Sequence, residues 1–236
     1  MTKAASGTAT TITAPTDYTQ IYKIYIQDSN GNASPASASD LSIRPNQANV
    51  DAVFNAQTVL ANTANSVSIT ATTIVSDEIW IAPASTTAFT VGATMTKATG
   101  VDTTMASPED YTQTYKIYIK DTNGDVSPES SDDLKIRPNQ TQVDAVFAAN
   151  ASVGAGTNVT IVSTGNADNE VWIAPAGTLN ADDFNNDGVT MTKAVDGTMG
   201  TIPSPSTAGT YKIYIISSVA TGRNVSPASA ADLTVT

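Results

Sequence analysis

The sequence predicts an all-β chain of small tandem sandwiches, and three observations carry that prediction. The pentapeptide Tyr-Lys-Ile-Tyr-Ile starts at residues 22, 115 and 211, so its copies lie 93 and 96 residues apart. That is the length of one small β domain. Within it Tyr22, Ile24 and Ile26 share one face of a strand, and Lys23 and Tyr25 share the other. The lysine marks the wet face, so the Tyr/Ile/Ile face is the buried one. Finally, 40% of residues are hydrophobic, enough for packed cores, while only 14% are charged. Thr, Ser, Ala and Asn fill the difference, as short strands with polar outer faces require.

Composition narrows the function classes. The net charge of −11 and pI near 4.1 repel nucleic-acid phosphates and anionic lipid, so neither is an expected partner. No apolar run reaches the ~18 residues of a membrane span. The chain has no Cys and no His, which excludes disulfides, thiol nucleophiles, His-dependent serine triads and His-ligated metals. Met1-Thr-Lys is followed by small polar residues instead of the apolar core of a signal peptide, as in a mature or excised segment.

In order, residues 1–47 carry strand signals at 10–14, 22–26 and 41–43, separated by the turn 28–32. Met1-Thr-Lys-Ala4 recurs at 95–98 and 191–194, so the chain opens in the middle of a repeat. Arg-Pro-Asn-Gln at 44–47 and 137–140 closes the first two copies, its proline ending sheet pairing. The expected divisions are a repeat's back half at 1–47 and full repeats at 48–140 and 141–236. In the second, Val50-Asp-Ala-Val-Phe54 leads in, and strands follow near Val59, at 67–71, at 78–82 up to Pro83, and at 95–98, 103–106, 115–120 and 134–136. About seven short strands in that span read as a sandwich. The third repeats the order, with Val143 to Phe147, Val159, Ile161, Trp172, 191–194, 211–215 and 233–235. Its tryptophan follows the second's by 92 residues and its methionine by 96, which places an insertion within 180–188. The hairpin over 217–224 is lengthened too.

The run Gly209-Thr-Tyr-Lys-Ile-Tyr-Ile215, with Asn224-Val-Ser-Pro227 after its turn, resembles the penultimate strand and last hairpin of bacterial immunoglobulin-like repeats. Those occur in tandem in surface-layer, adhesin and other cell-surface proteins. The resemblance covers essentially the whole chain and implies tandem immunoglobulin-like sandwiches. Tyr211, Tyr22 and Tyr115 match the tyrosine that opens that strand and hydrogen-bonds the neighbouring corner. One departure stands out: Trp80 and Trp172 alternate with aliphatic residues and share a face with Glu78 and Glu170. Parity therefore puts both indoles outside the main core.

Three groups are candidate sites. Asp183, Asn185 and Asp187 alternate and end in Gly188, an arrangement suited to calcium. Ala194, however, stands where a bidentate Glu would close the loop. Asp121, Asn123, Asp125 and Glu129 form a second oxygen-rich group, for which ordinary β-turn chemistry is the plainer account. In the fold the resemblance implies, the third and sixth strands are neighbours, so Trp80 lies near Tyr118 and Trp172 near Tyr214 on the outer face. Three readings of those rings stand: a protein interface, sugar stacking, or a cover made by the long loops 84–94 and 176–190. Lys23, Lys116 and Lys212 are read as facing out, which argues against buried lysine–asparagine crosslinks.

No catalytic residues are assigned. The expected function is a structural, non-catalytic segment of an extracellular bacterial surface-layer or appendage protein. It would form a homo-oligomeric or polymeric assembly without inserting into a membrane. A carbohydrate-binding or adhesive module using the Trp/Tyr faces, in contact with cell-wall or surface glycan, is the alternative. Residues 1–47 lack the front half of a repeat. They are expected to be completed by strands of another polypeptide or to be cut from a longer array.

Overall fold

A computed structural model describes residues 1–62, 64, 66–217 and 223–236. The fold is all-β and immunoglobulin-like. Its second portion begins with a short helix, α1 (Gln47–Val53), followed by β1 (Gln57–Leu60), β2 (Ser66–Ser68), β3 (Glu78–Pro83), β4 (Thr96–Thr99), β5 (Thr104–Ala106), β6 (Thr114–Lys120) and β7 (Leu134–Arg137). One sheet has the order β1-β7-β6-β3-β4, and β2 pairs with β5 apart from it. β1 runs parallel to β7, and the other pairs are antiparallel.

Alternation explains the core. Ile79 and Ile81 of β3, Tyr115, Ile117 and Ile119 of β6, and Leu134 and Ile136 of β7 all point inward. They meet Val67 and Met105 from the β2–β5 pair, together with Val50, Val53 and Phe54. Each such aliphatic side chain contributes roughly 1.5–3 kcal/mol by leaving water.

The third portion repeats the plan with α2 (Gln140–Val146), β8 (Ala151–Val153), β9 (Asn158–Thr160), β10 (Asn169–Pro175), β11 (Thr192–Lys193), β12 (Thr201–Pro203), β13 (Gly209–Ser217), β14 (Asn224–Val225) and β15 (Leu233–Val235). The sheet order is β11-β10-β13-β15-β8, with β14 beside β13 and β9 paired to β12. The insertion expected within 180–188 holds a 3-10 turn, Ala181–Asp183. Part of the lengthened hairpin, 218–222, lies outside the described residues.

The Val50–Phe54 and Val143–Phe147 runs, which lead into the repeats, belong to helices and their C-caps. The Arg-Pro-Asn-Gln segments do more than end a sheet, because their asparagines cap those helices. Asn46 Oδ1 accepts from Asn49 N at 3.0 Å while Asn46 N donates to Asn49 Oδ1 at 2.9 Å. Asn139 and Gln142 exchange the equivalent pair at 2.9 and 2.8 Å, a reciprocal capping box.

Residues 1–46 contain no extended strand. Tyr22 bridges Leu41 and Gln27 bridges Ala33, and Ile12, Ile21, Ile24, Tyr25 and Ile26 are exposed. The inward face expected for Tyr22, Ile24 and Ile26 is thus left largely uncovered here.

Candidate functional site

Parity holds for the tryptophans, but the outer face is not open. β3 pairs with β6 so that Trp80 is opposite Tyr118, and β10 pairs with β13 so that Trp172 is opposite Tyr214. These rings belong to clusters separate from the main cores, containing Trp80, Ala82 and Tyr118 in one repeat and Trp172, Ala174, Phe184 and Tyr214 in the other. All four rings are at most 4% exposed.

The cover comes from the long loops. Phe89 lies 5.4 Å from Trp80 and 5.2 Å from Tyr118, centroid to centroid. Phe184 lies 5.6 Å from Trp172 and 5.2 Å from Tyr214. The tilted and edge-on geometries are those aromatic quadrupoles favour. Met95 packs on the first cluster and Met191 on the second. Of the three readings of Trp80, Tyr118, Trp172 and Tyr214, this is the cover made by the long loops, and the four rings floor a second small core.

Polar groups seal each cluster. Trp80 Nε1 donates to Glu78 Oε2 at 3.0 Å, and Trp172 Nε1 to Glu170 Oε2 at 2.7 Å. Glu78 also meets Lys97 at 2.8 Å, and that ammonium stands 5.6 Å above the Trp80 ring. The Lys97 contact holds the Glu78 carboxyl below its ordinary range. Burial pushes Glu170 upward, but hydrogen bonds from Trp172 and Arg223 outweigh it and leave the group lowered. Arg223 Nη2 reaches Glu170 at 2.7 Å. Tyr118 Oη donates to Pro83 O or Glu129 Oε2, each at 3.2 Å, and burial pushes its phenol up to about 12.

In the candidate calcium loop the Asp187 and Asp183 carboxylates are engaged by groups of the same loop. Asp187 Oδ1 accepts from the amides of Val189, Thr190 and Met191 at 2.9, 2.9 and 3.0 Å, and its Oδ2 accepts from Thr190 Oγ1 at 2.8 Å. Those bonds, from Met191 first, lower its carboxyl to about 2. Asp183 Oδ2 accepts from Asn180 at 3.0 Å, Asn185 is exposed, and Phe184 between them turns inward. Among the described residues no three His, Cys, Asp or Glu side chains are grouped as a metal would need.

Asp121 behaves as turn chemistry predicts. Its Oδ1 accepts from the Asn123 and Asp125 amides, both at 2.9 Å, while Gly124 takes φ +86°, which glycine adopts without strain. Glu129 Oε2 accepts from Ser85 N at 2.8 Å, anchoring the 84–94 loop. Lys116, read as facing out, is largely covered: its Nζ meets Asp133 Oδ1 at 2.8 Å and Ser131 O at 2.9 Å.

Two contacts join successive copies and escaped the sequence reading. Tyr18 is buried and donates to Asp77 Oδ2 at 2.9 Å. One repeat later, Asn169 Nδ2 donates to Tyr111 Oη at 3.2 Å, and Ser217 Oγ donates to Tyr111 O at 3.0 Å. Tyr111 packs against the cores on both sides of this joint. The signal was present in Asp-Tyr-Thr-Gln, which occupies 17–20 and 110–113 and is replaced by Ser-Thr-Ala-Gly at 206–209.

The corner tyrosine is in place in every copy. Tyr22, Tyr115 and Tyr211 donate to Asp17 O, Asp110 O and Thr207 O at 2.9, 2.8 and 2.9 Å.

No protein-family model matches this chain, and no curated protein does. Among solved structures it is similar to the FN1–FN3 domains of chicken CNTN1, with 9% identity over 91% of this chain and 74% of that one, TM-score 0.27. It is also similar to Bacteroides ovatus SGBP-B of a mixed-linkage glucan utilization locus, solved with a mixed-linkage heptasaccharide: 12% identity over 92% and 52%, TM-score 0.25. A Dscam structure gives 13% identity over 93% and 59%, TM-score 0.23. The chain therefore spans little more than half of the last two. These likenesses are loose, and the immunoglobulin-like assignment stands on strand order and register. Among the described residues no helix is long and apolar enough to cross a membrane.

Proposed function

We propose that the chain is a structural, non-catalytic repeat segment of an extracellular surface-layer or appendage protein, assembling through its immunoglobulin-like domains. The observation that carries this reading is the recurring joint. Tyr18 on Asp77 and Tyr111 on Asn169 fasten one repeat to the next by the same element, and a capped helix starts each following repeat. A module that positions its neighbour in one repeated way suits a scaffold. Oxygen-rich turns that satisfy themselves and aromatic faces that are sealed leave few groups aimed at a small substrate. Glycan contact through Trp80, Tyr118, Trp172 and Tyr214 would require the 84–94 and 176–190 loops to open.

Electron microscopy of the purified chain, with and without calcium, tests the proposal. Sheets or fibres are the expected result. A chain that stays monomeric at every concentration under both conditions overturns it, and retention on cell-wall polysaccharide columns would favour an adhesive module instead.

A further inference from the structure

We infer that the 84–94 loop is a releasable cover over Trp80 and Tyr118, whereas the 176–190 loop is a fixed cover over Trp172 and Tyr214. Hinge, tether and latch all differ between the two. Both loops leave the sheet through the same residues, Ile-Ala-Pro-Ala, and the next residue takes a left-handed backbone conformation. In the third repeat that residue is Gly177, at φ +90°, which glycine adopts freely. In the second it is Ser85, at φ +62°. A residue with a Cβ is strained there. Closing the 84–94 loop therefore stores backbone strain that opening releases.

The tethers differ as much. Among the described residues, 87–91 make no hydrogen bond, so between Thr86 and Gly92 the loop is held by the packing of a half-buried Phe89. The 176–190 loop is bonded along its length. Asp183 N donates to Asn180 O at 3.0 Å, and Arg223 Nη1 donates to Ala181 O at 2.8 Å. Asp187 adds its bonds from Val189, Thr190 and Met191. Phe184 itself is only 5% exposed.

The latch sits at the base of the 84–94 loop. Ser85 N donates to Glu129 Oε2 at 2.8 Å, and Tyr118 Oη lies 3.2 Å from the same oxygen. One carboxylate thus holds the strained hinge shut. In the third repeat Ala228 stands in the place of Glu129, and a glycine hinge needs no such hold. A weakly tethered, strained loop is drawn from the low-stability end of a fold's local openings. Opening it uncovers the paired Trp80 and Tyr118 rings while Trp172 and Tyr214 stay sealed. The inference goes beyond the assembly reading and does not depend on it.

Indole N–H exchange, followed by NMR in the intact chain, reads both covers at once, because each tryptophan Nε1 is bonded to a glutamate beneath its loop. Trp172→Phe assigns the two signals. Trp80 should exchange about tenfold or more faster than Trp172. Ser85→Gly should slow Trp80 by about threefold or more, and Glu129→Ala should speed it by a similar factor, with Trp172 unmoved. The reciprocal change, Gly177→Ser, should speed Trp172 alone. A Cβ at Gly177 meets nothing within 4 Å, so that substitution adds backbone strain without a clash. Acrylamide quenching of the single-tryptophan chains Trp172→Phe and Trp80→Phe should give the same order. Equal exchange of the two indoles in the unsubstituted chain would overturn the inference. So would a Ser85→Gly rate no slower than the original, or a Glu129→Ala change that moves both indoles alike.

Discussion

Residues 22–26 and 115–119 are the same five residues in two surroundings. Both copies make the corner bond, the serine contacts to alternate amides and the bridge to the closing segment. Yet Ile24 and Ile26 face water while Ile117 and Ile119 are fully buried. The difference is the facing layer: Val67 and Met105 of the β2–β5 pair, with Val50, Val53 and Phe54, join Ile117 and Ile119 in one core. Local hydrogen bonding shapes the strand, and only a second layer packed on its apolar face turns that face into a core.

The largest expected effect breaks or confirms that contrast directly. Ile117→Ala should cost about 2–5 kcal/mol, as buried large-to-small changes do, whereas Ile24→Ala should stay within about 0.5 kcal/mol. Denaturant unfolding of both variants measures it. Similar losses would mean that Ile24 is covered in solution.

The second contrast is between the two lids. Phe184 is buried and Phe89 only half-buried, so Phe184→Ala should cost about 3–5 kcal/mol and Phe89→Ala less. Each should red-shift tryptophan emission and open it to quenching. Unchanged quenching in Phe184→Ala would mean that the loop does not seal Trp172.

Much of this was legible in sequence. The repeat, the parity of Ile79 and Ile81 against Trp80, the β3–β6 pairing and the corner tyrosines all follow from alternation and from the bacterial immunoglobulin-like resemblance. The lids were harder to read, because Phe89 and Phe184 lie in loops with no periodicity to orient them. The helices were missed although Val50, Val53 and Phe54 have helical spacing and Asn46 with Asn49 has the form of a capping box. Tyr18 and Tyr111 look like ordinary loop tyrosines until the next repeat is set beside them. The spacing of Asp183, Asn185 and Asp187 could not show that loop amides bond the Asp187 carboxylate, because loop spacing does not say which way carboxylates turn.

A third comparison sets Asp187 against a cation ligand. Its carboxyl is lowered to about 2 by hydrogen bonds from its own loop, so the stabilisation it gives is complete above the ordinary value of 3.8 and is lost as pH falls through about 2. Asp187→Ala should therefore lower the melting temperature at neutral pH equally with calcium and with chelator. A loss seen only with calcium would make Asp187 a ligand.

The smallest expected effect separates the two joints. Asp77 and Asn169 occupy equivalent places, but only Asp77 titrates. Burial raises its carboxyl above 3.8, and the nearby Asp121 charge adds to this, against the opposing bonds from Tyr18 and Thr72. The native joint therefore favours the neutral acid. Its contribution is complete below 3.8 and is lost as pH rises through the raised value, so at neutral pH the ionised group weakens the contact. Asp77→Asn should make the first joint resemble the second, raising stability at pH 7 by less than about 1 kcal/mol. The gain should vanish below about pH 4, where the wild-type carboxyl is protonated as well. The unfolding midpoint compared at the two pH values, with Asn169→Asp expected to move the other way, reads the difference. If Asp77→Asn destabilises at pH 7 instead, the charged hydrogen bond from Tyr18 outweighs burial, and the two joints are held by different means.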